Sequence, residues 1–152
     1  MARIAIRVQE HDFDVGAEYA LLAGIAEVGA IAAFVGQVRE LPGGGLSALT
    51  LEHYPGMTEK MLARIADAAC ERWPLDAVTV IHRFGRLEPC ARIVLVLVAS
   101  AHRHAAFEAC EYVMDYLKTE APFWKKESAF GKDSWVEAHA SDEAARERWH
   151  AS

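Results

Sequence analysis

The sequence predicts an α+β fold, and three observations carry that prediction. Two strand-like runs, GAIAAFVGQVRE (residues 29–40) and LSALTLEHY (residues 46–54), flank the flexible segment LPGGG, the pattern of an antiparallel hairpin. Helical patterns are inserted between strand patterns instead of alternating with them strictly, which disfavours a doubly wound parallel sheet. The run ARIVLVLVAS is continuously apolar, so it is expected at the centre of a sheet covered on both faces.

Taken in order, RIAIRV places Ile4, Ile6 and Val8 on one side of a half-buried strand. DVGAEYALLAG then reads as a short helix, with Asp14 as its cap and Gly24 as its stop. After the hairpin, Pro55-Gly56 ends the second strand and Thr58 can cap a helix running to about Trp73. Leu62, Ile65, Ala69 and Trp73 form its apolar stripe, and Pro74 closes it. AVTVIHRFG and ARIVLVLVAS are two further strands separated by RLEPC. AHRHAAFEACEYVMDYLKTEA is a helix, with Phe107, Cys110, Val113, Met114 and Leu117 expected to face the core. Pro122 stops it by removing a donor and restraining Ala121. DSWVEA suits a short strand, and SDEAARERW a capped terminal helix.

With 152 residues, no internal repeat and no linker, the chain is read as one domain over residues 1–152. Hydrophobic residues at 53% and charged residues at 25% place it among globular proteins. A net charge of −6 argues against a general nucleic-acid binder, whose domain would normally be basic. Any cationic site must therefore be a local pocket. The longest apolar run, residues 93–99, is too short to cross a bilayer, and the charged, alternating N-terminus is no signal peptide. Cys70, Cys90 and Cys110 are widely spaced, with no CxxC, and read as buried or inert thiols of a cytoplasmic protein. No spacing demands zinc, and LPGGG lacks the Lys-Ser/Thr continuation of a phosphate loop. No cofactor and no metal are expected.

Three clusters can carry chemistry. DYLKTEAPFWKKE sets Lys118, Lys125 and Lys126 around Pro122, Phe123 and Trp124. A chain reversal at Pro122 would bring Lys125 back towards Lys118. Two close ammonium groups against apolar walls lower a lysine pKa and free an amine for nucleophilic or general-base work. A plainer reading stands beside it: a lysine in the last helical turn gains about 0.3–1 kcal/mol from the helix dipole. SAHRH, at a strand-to-helix passage, offers Ser100 as a cap and His102 and Arg103 as cationic donors at an anion-binding helix start. A capped helix with solvated basic residues explains it equally well. Arg39, near Gly36, ends the first hairpin strand, where a lone arginine is commonly a surface residue. His53 and His82 sit in strand-like runs and read as packed or surface histidines.

In order, GAIAAFVGQVRE, LTLEHYPGMTEKML, VTVIHRFGRLEP, SAHRHAAFEACEYVMDYLKTEAPFWKKE and WVEA resemble the large catalytic subunit of molybdopterin synthase. The likeness covers nearly the whole chain, and the pairing of EHYPGMTEKM with YLKTEAPFWKKE is its most specific part. The resemblance implies an α/β-hammerhead-like domain that forms a homodimer. Each subunit would bind one small ubiquitin-like sulfur carrier, giving a heterotetramer. The carrier's Gly-Gly thiocarboxylate would give sulfur twice to cyclic pyranopterin monophosphate, forming the dithiolene of molybdopterin. Lys118 and Lys125 match the family's catalytic pair. Gln37, Val38, Arg39, His102, Arg103, Lys126, Glu127 and His139 match its substrate-binding positions. Gln37 and His139 depart from the lysine and arginine that many relatives carry there, which reduces pocket charge. A non-catalytic module that captures a partner's C-terminal tail is the rival reading, and retention of both lysines argues against it. A hydrolase using His102 lacks a matched nucleophile.

Overall fold

The computed structural model describes residues 1–137 and 140–151. Two four-stranded sheets and four helices make up an α+β architecture. The first sheet has the order β1 (Arg3–Gln9), β4 (Leu75–Arg83), β6 (Arg92–Ser100), β2 (Ala30–Gln37). Within it β1 runs parallel to β4, and the other pairs are antiparallel. The second sheet has the order β5 (Gly85–Leu87), β3 (Leu46–His53), β7 (Phe123–Ala129), β8 (Lys132–Val136), antiparallel throughout.

The apolar run of β6 is central, as its sequence requires. Val94, Val96 and Val98 pack under helices α2 (Met57–Arg72) and α3 (Arg103–Glu120), alongside Leu62, Ile65, Val113 and Leu117. Leu95, Leu97 and Ala99 face the other way, against Phe13 and Leu22, the latter in α1 (Val15–Ala23). Burying a Val or Leu side chain stabilises by about 1.5–3 kcal/mol, and β6 does so on both faces. Asp14 caps α1 as expected, accepting a hydrogen bond from the Ala17 amide.

The expected hairpin does not form. β2 pairs with β6, whereas β3 pairs with β5 and β7 in the other sheet. The pairing of β2 becomes irregular between Gly36 and Gln37. Val38 then buries its side chain with Leu46, Leu49, Leu51 and Leu87, and bonds through its backbone to Ala91 and Cys90. Burial of that one side chain turns the strand out of its sheet. Gly43, Gly44 and Gly45 carry the chain across with positive φ, and the Glu40 carboxylate accepts from the Leu41 and Leu46 amides to close the loop.

Other expectations are corrected locally. Gly56 is the cap of α2, and Thr58 is fully buried inside it, accepting from the Tyr54 amide and donating to the Pro122 carbonyl. Ser100 caps nothing: it ends β6 and donates to the Pro74 carbonyl, while His102 precedes α3 without a capping bond. Phe107 is 66% exposed, because Ala105, Ala106, Ala109 and Cys110 form the stripe that closes on the sheet. Ser141 lies inside α4 (Ala140–Glu147), not at its cap. Cys90 is exposed at φ 75°, whereas Cys110 is buried and its thiol is pushed up to about 11 by desolvation. Among the described residues no helix is long and apolar enough to cross a membrane.

Gly29 fixes the approach of β2 to the end of β6. Its amide donates to the Ser100 carbonyl, and a Cβ there would lie 2.2 Å from the Ala101 carbonyl oxygen. Since backbone cannot yield as a side chain does, Gly29→Ala should cost about 1–3 kcal/mol. A thermal melt should show Tm lowered by several degrees; an unchanged Tm would contradict this packing.

Candidate functional site

Pro122 does more than stop α3. Held by Thr58, it turns the chain directly into β7, so the FWKKESA stretch is a strand hydrogen-bonded between β3 and β8. Alternation along β7 then sorts the three lysines. Phe123, Lys125 and Glu127 share one face, turned towards the C-terminal end of α3, while Lys126 points to the opposite face. There its ammonium lies 5.7 Å from the Trp135 ring centroid, the residue paired with it across β8. The structure thus separates Lys126 from the other two, because a strand cannot present consecutive side chains to one pocket.

Lys118, in the last turn of α3, meets Lys125 across this corner. Two cavities join at the pair. The larger, about 400 Å³, is lined by His82, Phe123, Trp124, Glu137 and Asp142 as well as both lysines. The smaller, about 210 Å³, holds Gln37, Val38, Arg39 and Glu127 with the same two lysines. Val136 of β8 walls both. Burial first, and then the neighbouring Lys118 charge, pull the Lys125 ammonium down to about 8, against the opposing pull of Asp142 and Glu127. An amine that releases its proton near neutrality can accept a proton or an acyl group; while charged, it can hold an anion.

The other expected residues are not all here. Val38 lines the smaller cavity, but its side chain is core and both its backbone polar groups are engaged, so it can form wall and position Arg39 without binding through a free donor. His102 and Arg103 sit at the start of α3 and Lys118 near its end, a separation of about 22 Å along the helix axis. One chain does not bring them to the lysines. His139 lies outside the described residues. Asp142, Glu137 and His82 join the site without having been expected; the first two come from segments whose packing local patterns do not reveal. Among the described residues no group of three His, Cys, Asp or Glu side chains is placed to hold a metal ion.

Residues 8–120 match the family described as MoaE protein. The chain belongs to the MoaE family. Within this family, it is 59% identical over 146 residues to the molybdopterin synthase catalytic subunit of Ralstonia nicotianae, spanning 95% of this chain and 83% of the relative. With the Escherichia coli catalytic subunit it shares 56% identity, covering 98% of this chain and 100% of that one. A solved MoaE protein from Burkholderia ambifaria superposes with a TM-score of 0.83 at 52% identity, covering 99% of both chains. A complex of subunits 1 and 2 of the molybdopterin-converting factor of Helicobacter pylori, 20% identical, shares the fold, with a TM-score of 0.73 over 88% of this chain and 90% of that one. The MoaE chain is accordingly a molybdopterin synthase catalytic subunit, a sulfurtransferase of molybdenum cofactor biosynthesis.

Proposed function

We propose that the Lys118–Lys125 corner is where sulfur passes from the C-terminal thiocarboxylate of a small ubiquitin-like carrier to cyclic pyranopterin monophosphate. The observation that carries this reading is the convergence of two lysines, from a helix end and a strand, where two cavities join. A junction of that kind suits a reaction with two substrates, a slender tail entering one side and an anionic pterin the other. Lys118, exposed at its helix end, contacts the thiocarboxylate carbon as base or transient acyl acceptor. Lys125 orients the pterin and, while protonated, stabilises negative charge developing beside it. Gln37, Arg39 and Glu127 border the pterin side.

His102 and Arg103 complete the anion grip from a second copy of the chain. They are too far from Lys118 in their own subunit, yet apolar side chains are exposed on α3 beside them and on the edge strand β2. Phe107, one turn beyond Arg103, is 66% exposed, and Phe34 and Val35 on the edge strand β2 are each 38% exposed. Open edges with exposed apolar side chains are commonly covered in the working assembly. A homodimer with one carrier per subunit satisfies both facts. The three cysteines are free thiols, in keeping with a reducing cytoplasm.

The lysine pair sets the pH dependence. Lys125 is brought down to about 8, so its neutral fraction rises as pH climbs through that value. Because Lys125 acts while protonated, the rate should fall along a limb with its midpoint near pH 8. Lys125→Met should remove that limb. A single-turnover rate that is flat from pH 6 to about 9 would count against a titrating amine.

A further inference from the structure

The imidazole of His82 faces the same corner, and its chemistry is fixed by its neighbours. It is the last inward residue of β4, 5% exposed, on the row that continues Val78 and Val80 under α3. Its Nδ1 lies 2.8 Å from the Arg83 carbonyl oxygen. A carbonyl can only accept, so Nδ1 carries the proton and Nε2 is left as a lone pair. The ring stacks on Phe123 with centroids 3.7 Å apart and planes 18° from parallel, which locks its orientation. No described residue bonds to Nε2, and Nε2 is not among the sealed, unpartnered atoms, so it opens to the larger cavity that His82 lines.

The groups facing this ring are Lys118 from α3, Lys125 from β7 and His53 from β3, with Glu137 and Asp142 across the cavity. Burial, reinforced by the two lysine charges, brings the imidazole down to about 3, and it stays neutral throughout the working range. Lys118 is the stronger of the two lysine influences. We propose that His82 is a positioning residue for sulfur transfer: its Nε2 lone pair accepts a hydrogen bond from the Lys118 side-chain nitrogen and aims that nitrogen at the reacting carbon. A carboxylate there would hold the lysine as its ammonium and keep its lone pair from the substrate. A neutral acceptor on a locked ring orients the lysine and leaves it able to give up its proton. The inference rests on the lysine-pair reading and adds to it a residue that the sequence reading gave no role.

The test is single-turnover sulfur transfer in the assembled carrier complex, comparing wild type with H82F, H82N, H82Q and K118A. H82F keeps a ring on Phe123 and loses the acceptor. H82Q loses the ring and restores an amide oxygen near the position of Nε2. H82N keeps a donor for the Arg83 carbonyl, loses Nε2, and is read in place of H82F should that variant fail to fold. Loss of a hydrogen bond to a charged group should lower the transfer rate by about ten- to a hundredfold in H82F and H82N. KM for the pterin should be unchanged, with H82Q within about threefold of wild type. A purely structural role predicts the reverse order, with H82F near wild type and H82Q impaired, and that order would overturn the proposal. Full activity in K118A would overturn the lysine reading itself. An inactive K118A beside a fully active H82F would overturn only the role of His82.

Discussion

Lys118→Ala should lower dithiolene formation by about a thousandfold, in the range seen when a positioned acid–base group is removed. The fold should persist. Lys118 is exposed at the end of α3, and the packing there belongs to Leu117, which is 3% exposed against the β6 valines. What the ammonium contributes to stability is the favourable interaction of a cation with a helix C-terminus, about 0.3–1 kcal/mol. Carrier affinity should also survive, since the tail docks along the walls of the larger cavity and not on one amine. Pterin product measured in single turnover, with a thermal melt on the same sample, checks both halves of the expectation. Product at a rate near wild type would remove Lys118 from the chemistry.

The second large effect concerns the origin of the anion grip. Arg103→Ala should weaken pterin binding by about ten- to a hundredfold, as expected for a charge-assisted contact. Carrier affinity should change little. If Arg103 reaches the lysines of a second copy, then mixing Lys118→Ala chains with Arg103→Ala chains restores activity. A mixed dimer has one site with both residues intact and one with neither. Random exchange should recover about a quarter of wild-type activity in a two-fold symmetric assembly. Recovery absent from a mixture proven by mass to contain mixed dimers would place Arg103 outside the site.

Much of the fold was legible because local signals and packing agree. Asp14, Pro74, Pro122 and the two-faced apolar run of β6 each mark in sequence what the structure uses. The sheet partition was not legible. Residues 29–40 and 46–54 have the composition of a hairpin, and what separates them is the burial of Val38 beneath Leu87, a contact with no local signature. Phe107 misled for a related reason. Its spacing fits an inward stripe, but three alanines let α3 lie closer to the sheet along a neighbouring line.

The site divides in the same way. The convergence of Lys118 and Lys125 was foreshadowed by the break at Pro122, and Glu127 and Arg39 do border the pair. Lys126 was grouped with them because it is adjacent in sequence, and strand alternation places it on the other face instead. His102 and Arg103 were grouped with them by family likeness, and the length of α3 shows that one subunit cannot unite them. His82 was read as a packed or surface histidine in a strand, and it is packed, but nothing in the sequence placed it beside the lysines. Its position depends on the stack with Phe123, a residue far along the chain.

The central claim is that this corner transfers sulfur and does not merely hold a tail. Purified chain, carrier bearing a C-terminal thiocarboxylate and cyclic pyranopterin monophosphate should be combined, with carrier and pterin followed by mass spectrometry. The account predicts that the thiocarboxylate is consumed as the pterin gains two sulfur atoms, with both changes lost in Lys118→Ala. A stable complex in which the carrier keeps its thiocarboxylate and the pterin gains no sulfur would contradict it, and would leave a tail-binding module in its place.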